Sequence, residues 1–184
     1  MEKQDLLRIG LVQAELSWRE PDANRQHLQN MLESTDSRID IAIFPETFTT
    51  GFLGEIPELE GMDGPTVSWM KQLAAQYDCV ITGSAVMGSP EGRRNRLLWV
   101  EPGGEINYYD KRHLFAYAGE HKRYVAGSER VVFEYRGWRI FPQICYDLRF
   151  PVWCRNRSDY DLMVMVANWP SPRVDAWSTL LKAR

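Results

Sequence analysis

The chain has 184 residues, 44% of them hydrophobic and 26% charged, with a net charge of −3. That is the composition of a folded chain long enough for one real core, without the polybasic surface that would point to nucleic acid or an anionic membrane as partner. Its apolar runs, such as LMVMVA at 162–167, fall far short of the roughly 20 residues a membrane-spanning helix needs; MEKQDLLRIG lacks a signal-peptide core, so the expected location is cytoplasmic.

In chain order, RIGLVQAEL (8–16) reads as a first strand. Pro21 and Asp22 open a helix through Glu33, with Leu28, Met31 and Leu32 on one face. IDIAIFPE (39–46) is a short buried strand ending at Pro45 and Glu46. Gly64 and Pro65 start a second helix, with Val67, Met70, Ala74 and Tyr77 spaced for one face. CVITGSAVM (79–87) is a strand. RLLWV (96–100), the turn EPGG and EINYYDK (105–111) form a hairpin. VVFEY, a turn at Arg136–Gly137 and WRIFPQIC form another. Pro151 opens a short helix, DLMVMVAN (161–168) is a strand, and Ser171 is placed to cap a final helix with Pro172 in its first turn. Strands alternating with amphipathic helices define an α/β fold class. The last helix stops at LLKAR with no cap or polar tail, and its Val174, Trp177 and Leu181 are spaced to pack on something. The expectation is one domain over 1–184 that lacks its C-terminal part.

Cys79, Cys145 and Cys154 are an odd set without a CxxC pair, which argues against a disulfide framework and a structural zinc site. His27, His113 and His121 are scattered, and no phosphate-binding glycine loop appears. No metal or cofactor is expected. The residues that can carry chemistry sit where strands leave the core: Glu46 after Pro45, Lys111 after Tyr109 and Asp110, and Cys145 at the end of an apolar strand. Ligands of α/β sheets gather at such ends. Taken singly, each has a bland reading. Cys145 alone is a small core residue, Glu46 a strand-end carboxylate, and Lys111 part of a solvated DKRH cluster. Arg149 alone could pair with Asp147.

Together they carry more. FPETFTTGF around Glu46, YDKRHLF around Lys111 and ICYDLRFP around Cys145 resemble, in that order, the three catalytic motifs of the nitrilase superfamily of carbon–nitrogen hydrolases. GEHKRYVAGSE (119–129) resembles the segment that supplies a supporting glutamate, here Glu120. HLFAYAGEH, CYDLRFPVWCRN and NWPSPR look most like the bacterial omega-amidases of the nitrilase-like-2 type. The resemblance implies a four-layer α-β-β-α sandwich, usually dimeric, and an amidase that frees ammonia from a small keto acid such as 2-oxoglutaramate. It also implies roles. Cys145 would attack the amide, Glu46 would move the proton, and Lys111 with the Tyr146 backbone N–H would hold the oxyanion. Glu120 would steady the group.

A keto-acid substrate carries a carboxylate that needs a cation, for which Arg149 and Arg173 are candidates. Phe115, Tyr117 and Trp169 are candidate walls of the pocket. Hydrolysis of deaminated glutathione, of an N-carbamoyl compound or of a nitrile is an alternative on the same triad. A non-catalytic binding or assembly module is the alternative of another class. A Cys–His dyad through His113 or His121 is disfavoured, because a lysine holds the family position.

Overall fold

The computed structural model describes residues 3–52 and 59–184. Five strands form the first sheet: β1 (Ile9–Leu11), β2 (Ile41–Ile43), β3 (Val80–Ser89), β4 (Gly92–Val100) and β5 (Ile106–Asp110), in that spatial order. β1, β2 and β3 are parallel, and β3, β4 and β5 are antiparallel. The parallel pairs need crossovers, which α1 (Pro21–Glu33) and α2 (Pro65–Tyr77) supply. A second sheet holds β6 (Phe133–Tyr135), β7 (Trp138–Ile144) and β8 (Leu162–Val166), with β6 antiparallel and β8 parallel to β7.

Side-chain alternation along each strand assigns the layers. Ala42, Ile81, Ala85, Met87, Leu98 and Val100 face one way, under Leu28 and Leu32 of α1 and Val67, Met70 and Leu73 of α2. Ile41, Ile43, Val80, Leu97, Trp99 and Tyr109 face the other way, onto Phe133, Ile140, Ile144, Val164 and Val166 of the second sheet. The outer side of that second sheet is covered by Tyr160, stacked on Phe141 with centroids 5.0 Å apart, and by Cys154 of α3 (Pro151–Cys154). The layers therefore run helices, sheet, sheet, helix, the α/β sandwich that the motifs implied.

Three local expectations change. The first strand pairs only over Ile9–Leu11, because its partner β2 has just three ladder residues before Pro45. Cys145 lies beyond the strand end: β7 stops at Ile144, and Cys145 opens a 3₁₀ turn, Cys145–Arg149. Ser171 makes no side-chain cap bond; it begins a 3₁₀ turn, Ser171–Arg173, that leads into α4 (Val174–Ala183). On α4, Trp177 packs on Trp169 at 5.1 Å, while Val174 and Leu181 remain exposed. Among the described residues no helix is long and apolar enough to cross a membrane.

Candidate active site

Glu46 sits on the turn after β2. Pro45 has no N–H and ends the strand, and the chain then reverses through Thr47 in a left-handed conformation (φ 46°). That turn is fastened to β3: the Thr47 N–H donates to Ser84 Oγ at 2.9 Å, and the Phe48 N–H donates to the Ser84 carbonyl at 3.0 Å. Lys111 follows β5 directly. Its N–H donates to the Asn95 carbonyl and its own carbonyl accepts from Gly127, each at 2.9 Å. One step earlier, Asp110 takes a bidentate pair from Arg96 across the hairpin at 2.7 and 2.9 Å. The ammonium is thus delivered by a backbone held on both sides.

Cys145 has φ 47°, the left-handed region that a residue with a Cβ rarely adopts. The turn lifts its thiol away from the strand it follows and into a cavity, at 8% exposure. It also starts a 3₁₀ segment, whose first N–H groups, that of Tyr146 included, have no partner within the turn itself.

These three segments, distant in sequence, meet in one buried cluster. Lys111 Nζ lies 2.8 Å from Glu46 Oε1 and 3.1 and 3.0 Å from the two oxygens of Glu120. Glu46 and Lys111 side chains are wholly buried and Glu120 almost so. The Phe115 N–H donates to Glu120, and the Asn168 N–H donates to Glu46 Oε2 at 2.9 Å. Burial alone would lower the lysine pKa; the neighbouring carboxylates, Glu46 before Glu120, outweigh it and hold the ammonium charged. The Cys145 thiol is pushed well up, first by burial, then by the charge of Glu46, with Lys111 pulling the other way. These influences hold the proton on sulfur, beside the Glu46 carboxylate. A thiol held protonated becomes a nucleophile only as its proton leaves to a base.

The cavity in front of Cys145 has a volume of about 290 Å³ and is walled by Phe52, Phe115, Tyr117, Trp169 and Pro170. Arg149 and Arg173 both reach it. Arg149 does not pair with Asp147, as one reading of the sequence allowed. Its guanidinium lies 5.4 Å from the Trp169 ring, and that of Arg173 lies 5.2 Å from the Phe115 ring. Flat cations resting on aromatic faces keep their N–H groups available to a carboxylate. Of the residues that the resemblance assigned to the site, Glu46, Lys111 and Glu120 form the buried cluster, and Cys145, Tyr146, Arg149, Arg173, Phe115, Tyr117 and Trp169 line the cavity. Among the described residues no cluster of histidine, cysteine, aspartate or glutamate is arranged to hold a metal ion.

Sequence reading missed Asn95. Its Nδ2 donates to Glu46 Oε1 at 2.9 Å and to Glu120 Oε1 at 3.3 Å, so one amide bridges the two carboxylates that flank the lysine. The available signal was strand alternation: Asn95 shares its face with Leu97 and Trp99, and a polar side chain on an inward face must have partners. Phe52, Pro170 and the Asn168 N–H were missed as well.

A buried thiol against a carboxylate–ammonium–carboxylate cluster, at the wall of a small cavity on an α-β-β-α sandwich, defines a class of thiol hydrolases. The carbon-nitrogen hydrolase family profile matches residues 8–184, and the chain belongs to that family, within the nitrilase superfamily. It is 49% identical over 178 residues to the omega-amidase YafV of Yersinia enterocolitica, covering 97% of this chain and 69% of the relative. It is 33% identical over 182 residues to the 2-oxoglutaramate amidase of Bacillus subtilis, covering 96% and 70%. The crystal structure of XC1258 from Xanthomonas campestris, a CN-hydrolase superfamily protein with an arsenic adduct in its active site, superimposes with a TM-score of 0.93 at 52% identity, covering 96% of this chain and 70% of that one.

Proposed function

We propose that the protein hydrolyses the terminal amide of a small omega-amide of the 2-oxoglutaramate type, giving the carboxylate and ammonia. The observation that carries this reading is Cys145 on the wall of a 290 Å³ cavity with the Glu46–Lys111–Glu120 cluster around it and two arginines opposite aromatic walls. The names of its relatives, omega-amidase and 2-oxoglutaramate amidase, support the same substrate class.

The proposed reaction has two halves, acylation of sulfur and hydrolysis of the thioester. Glu46 takes the Cys145 proton as sulfur bonds to the amide carbon, and the carbonyl oxygen becomes an oxyanion. Lys111 has three N–H bonds; one points to Glu46 and one serves the paired oxygens of Glu120. The third is left for the oxyanion, with the Tyr146 N–H as second donor. An oxyanion-hole donor is worth about 10²–10³-fold in rate. Collapse breaks the C–N bond, and the departing nitrogen leaves as ammonia with the proton Glu46 holds. Water then attacks the thioester, Glu46 takes its proton, and that proton returns to sulfur as the acid departs. Asn95 and the Asn168 N–H keep the Glu46 carboxylate aimed through both protonation changes.

The substrate's own carboxylate belongs against Arg149 or Arg173, beyond the reacting carbon and inside the aromatic walls. Exposed Val174 and Leu181 on α4 support a further part of the proposal, that the protein works as a homodimer; sedimentation of the purified protein at micromolar concentration measures that directly.

The decisive assay measures ammonia release from 2-oxoglutaramate, with glutamine and an N-carbamoyl amino acid alongside, for the protein and for Cys145→Ala. Selective release from the keto-amide, lost in the variant, is expected. Release from the N-carbamoyl compound alone moves the substrate class, and full activity in the variant removes Cys145 from the reaction.

A further inference from the structure

Two residues past the nucleophile, Asp147 is completely buried, and the groups facing it are donors. Its Oδ2 accepts from the Tyr109 hydroxyl at 2.9 Å and from the Ile144 N–H at 3.1 Å. Its Oδ1 accepts from the His113 N–H at 2.9 Å and lies 2.7 Å from His113 Nδ1. The Tyr109 hydroxyl itself accepts the Arg112 N–H at 3.1 Å, so its one proton is committed to Asp147. A carboxylate beside Nδ1 likewise requires the imidazole proton on that nitrogen.

The positions of these partners matter. Tyr109 and His113 lie two residues before and two residues after Lys111, while Ile144 and Asp147 bracket Cys145. One carboxylate therefore ties the segment that carries the ammonium to the turn that carries the thiol. That turn needs a restraint, since Cys145 occupies a left-handed conformation that a free chain would relax. The His113 ring completes the joint from the other side, stacked on Phe150 at 3.6 Å with planes 9° apart and meeting Trp153 edge-on at 5.7 Å.

We infer that Asp147 and His113 are positioning residues, a lock that sets the Cys145 thiol against Lys111 and Glu46 through the hydrogen bond from the His113 side chain. This inference rests on the amidase reading only for one of its two readouts. Neither side chain lines the cavity. The lock acts on the rate of the chemical step and leaves substrate binding alone.

The test separates the hydrogen bond from the stack. His113→Phe keeps a ring on Phe150 and loses the donor. His113→Asn loses the ring and keeps an N–H in the place of Nδ1. Asp147→Asn turns one of the two acceptor oxygens into a donor that faces donors. His113 is part-exposed, so its two variants are expected to fold even if Asp147→Asn does not. The measurements are kcat and KM per Cys145 titrated with iodoacetamide, the alkylation rate of Cys145 at fixed pH, and the melting temperature. Cys145→Ala gives the background from the buried Cys79 and Cys154.

The expected result is that His113→Phe loses about tenfold to a hundredfold in kcat per titrated site, as a misplaced reacting group does, with KM little changed. Its Cys145 alkylates several-fold faster, because a loosened turn admits water to a thiol that burial keeps protonated. His113→Asn is expected to restore both values close to wild type. If kcat per titrated site is unchanged in His113→Phe and only the melting temperature falls, the pair is merely structural and the inference fails. It fails equally if His113→Asn is as impaired as His113→Phe, since stacking then matters and the hydrogen bond does not. If the wild-type protein releases no ammonia from the keto-amide, the amidase reading fails on its own. The lock is then judged by alkylation, where equal rates in the wild type, His113→Phe and His113→Asn overturn it.

Discussion

Two opposing influences act on the Cys145 thiol. Burial and the Glu46 carboxylate hold its proton on, while Lys111 favours the thiolate. Removing the Glu46 charge deletes a raising cause and leaves the lysine attraction, so the titration must move down. In Glu46→Gln, the pH midpoint of Cys145 alkylation by iodoacetamide is therefore expected at lower pH than in the wild type. Turnover is expected to fall by about 10²–10⁴-fold, because the proton has no base to go to. An unchanged or higher midpoint would show that Glu46 does not act on the thiol by charge. Asn95 is the other decisive side chain. Its single Nδ2 serves both carboxylates, so Asn95→Ala leaves two buried oxygens each short of a donor. The expected loss is about 1–3 kcal/mol of stability, read by urea unfolding. A drop in kcat should accompany it, with KM close to that of the wild type. Asn95→Asp is expected to be worse, since it places a third carboxylate around one ammonium.

At the scale of elements, the site depends on how closely the turn after β2 lies on β3. Gly83 of β3 has no room for a side chain: an added Cβ would stand 2.8 Å from Phe44 Cβ and 2.9 Å from Phe48 Cδ1, the residues on either side of the Glu46 turn. Neither contact is a flexible side-chain tip. Gly83→Ala is expected to cost about 1–3 kcal/mol by overpacking, measured as a lowered unfolding midpoint. It should also reduce turnover by displacing Glu46 from Lys111. Wild-type activity in a folded Gly83→Ala protein would mean that the turn can shift without moving the carboxylate. The strand positions were legible from alternation, and Pro21, Pro65 and Pro151 each mark a helix start. The strand ends were less legible. The length of β1 depends on how many residues its neighbour offers, and the left-handed turn at Cys145 depends on what Asp147 holds; neither is a property of the local sequence.

At the scale of the molecule, the site is a seam between two sheets. Glu46 and Lys111 come from the first sheet and Cys145 from the second. What keeps the sheets in register is the apolar layer between them, centred on Trp99, which is fully buried and packs on Phe133 at 5.3 Å and Tyr135 at 6.1 Å. Trp99→Ala is expected to cost about 3–5 kcal/mol, seen in urea unfolding. Activity should fall more steeply with temperature than in the wild type, because the seam opens before the sheets melt. Parallel loss of activity and of sheet signal would show that the two sheets do not move apart independently.

The amino-acid sequence by itself determined the α/β alternation, the order of three polar strand ends and the residue types that amide chemistry needs. These are local properties, written in side-chain periodicity and in motifs around Glu46, Lys111 and Cys145. Tertiary structure alone decided that Glu46 and Glu120 share one lysine, that Asn95 joins them, and that Arg149 faces Trp169 and not Asp147. It also decided that Asp147 couples the lysine segment to the nucleophile turn. The physical reason is that the partner of a buried charge is chosen by which backbone segments the packed sheets bring within about 3 Å, and spacing along the chain carries no record of that choice.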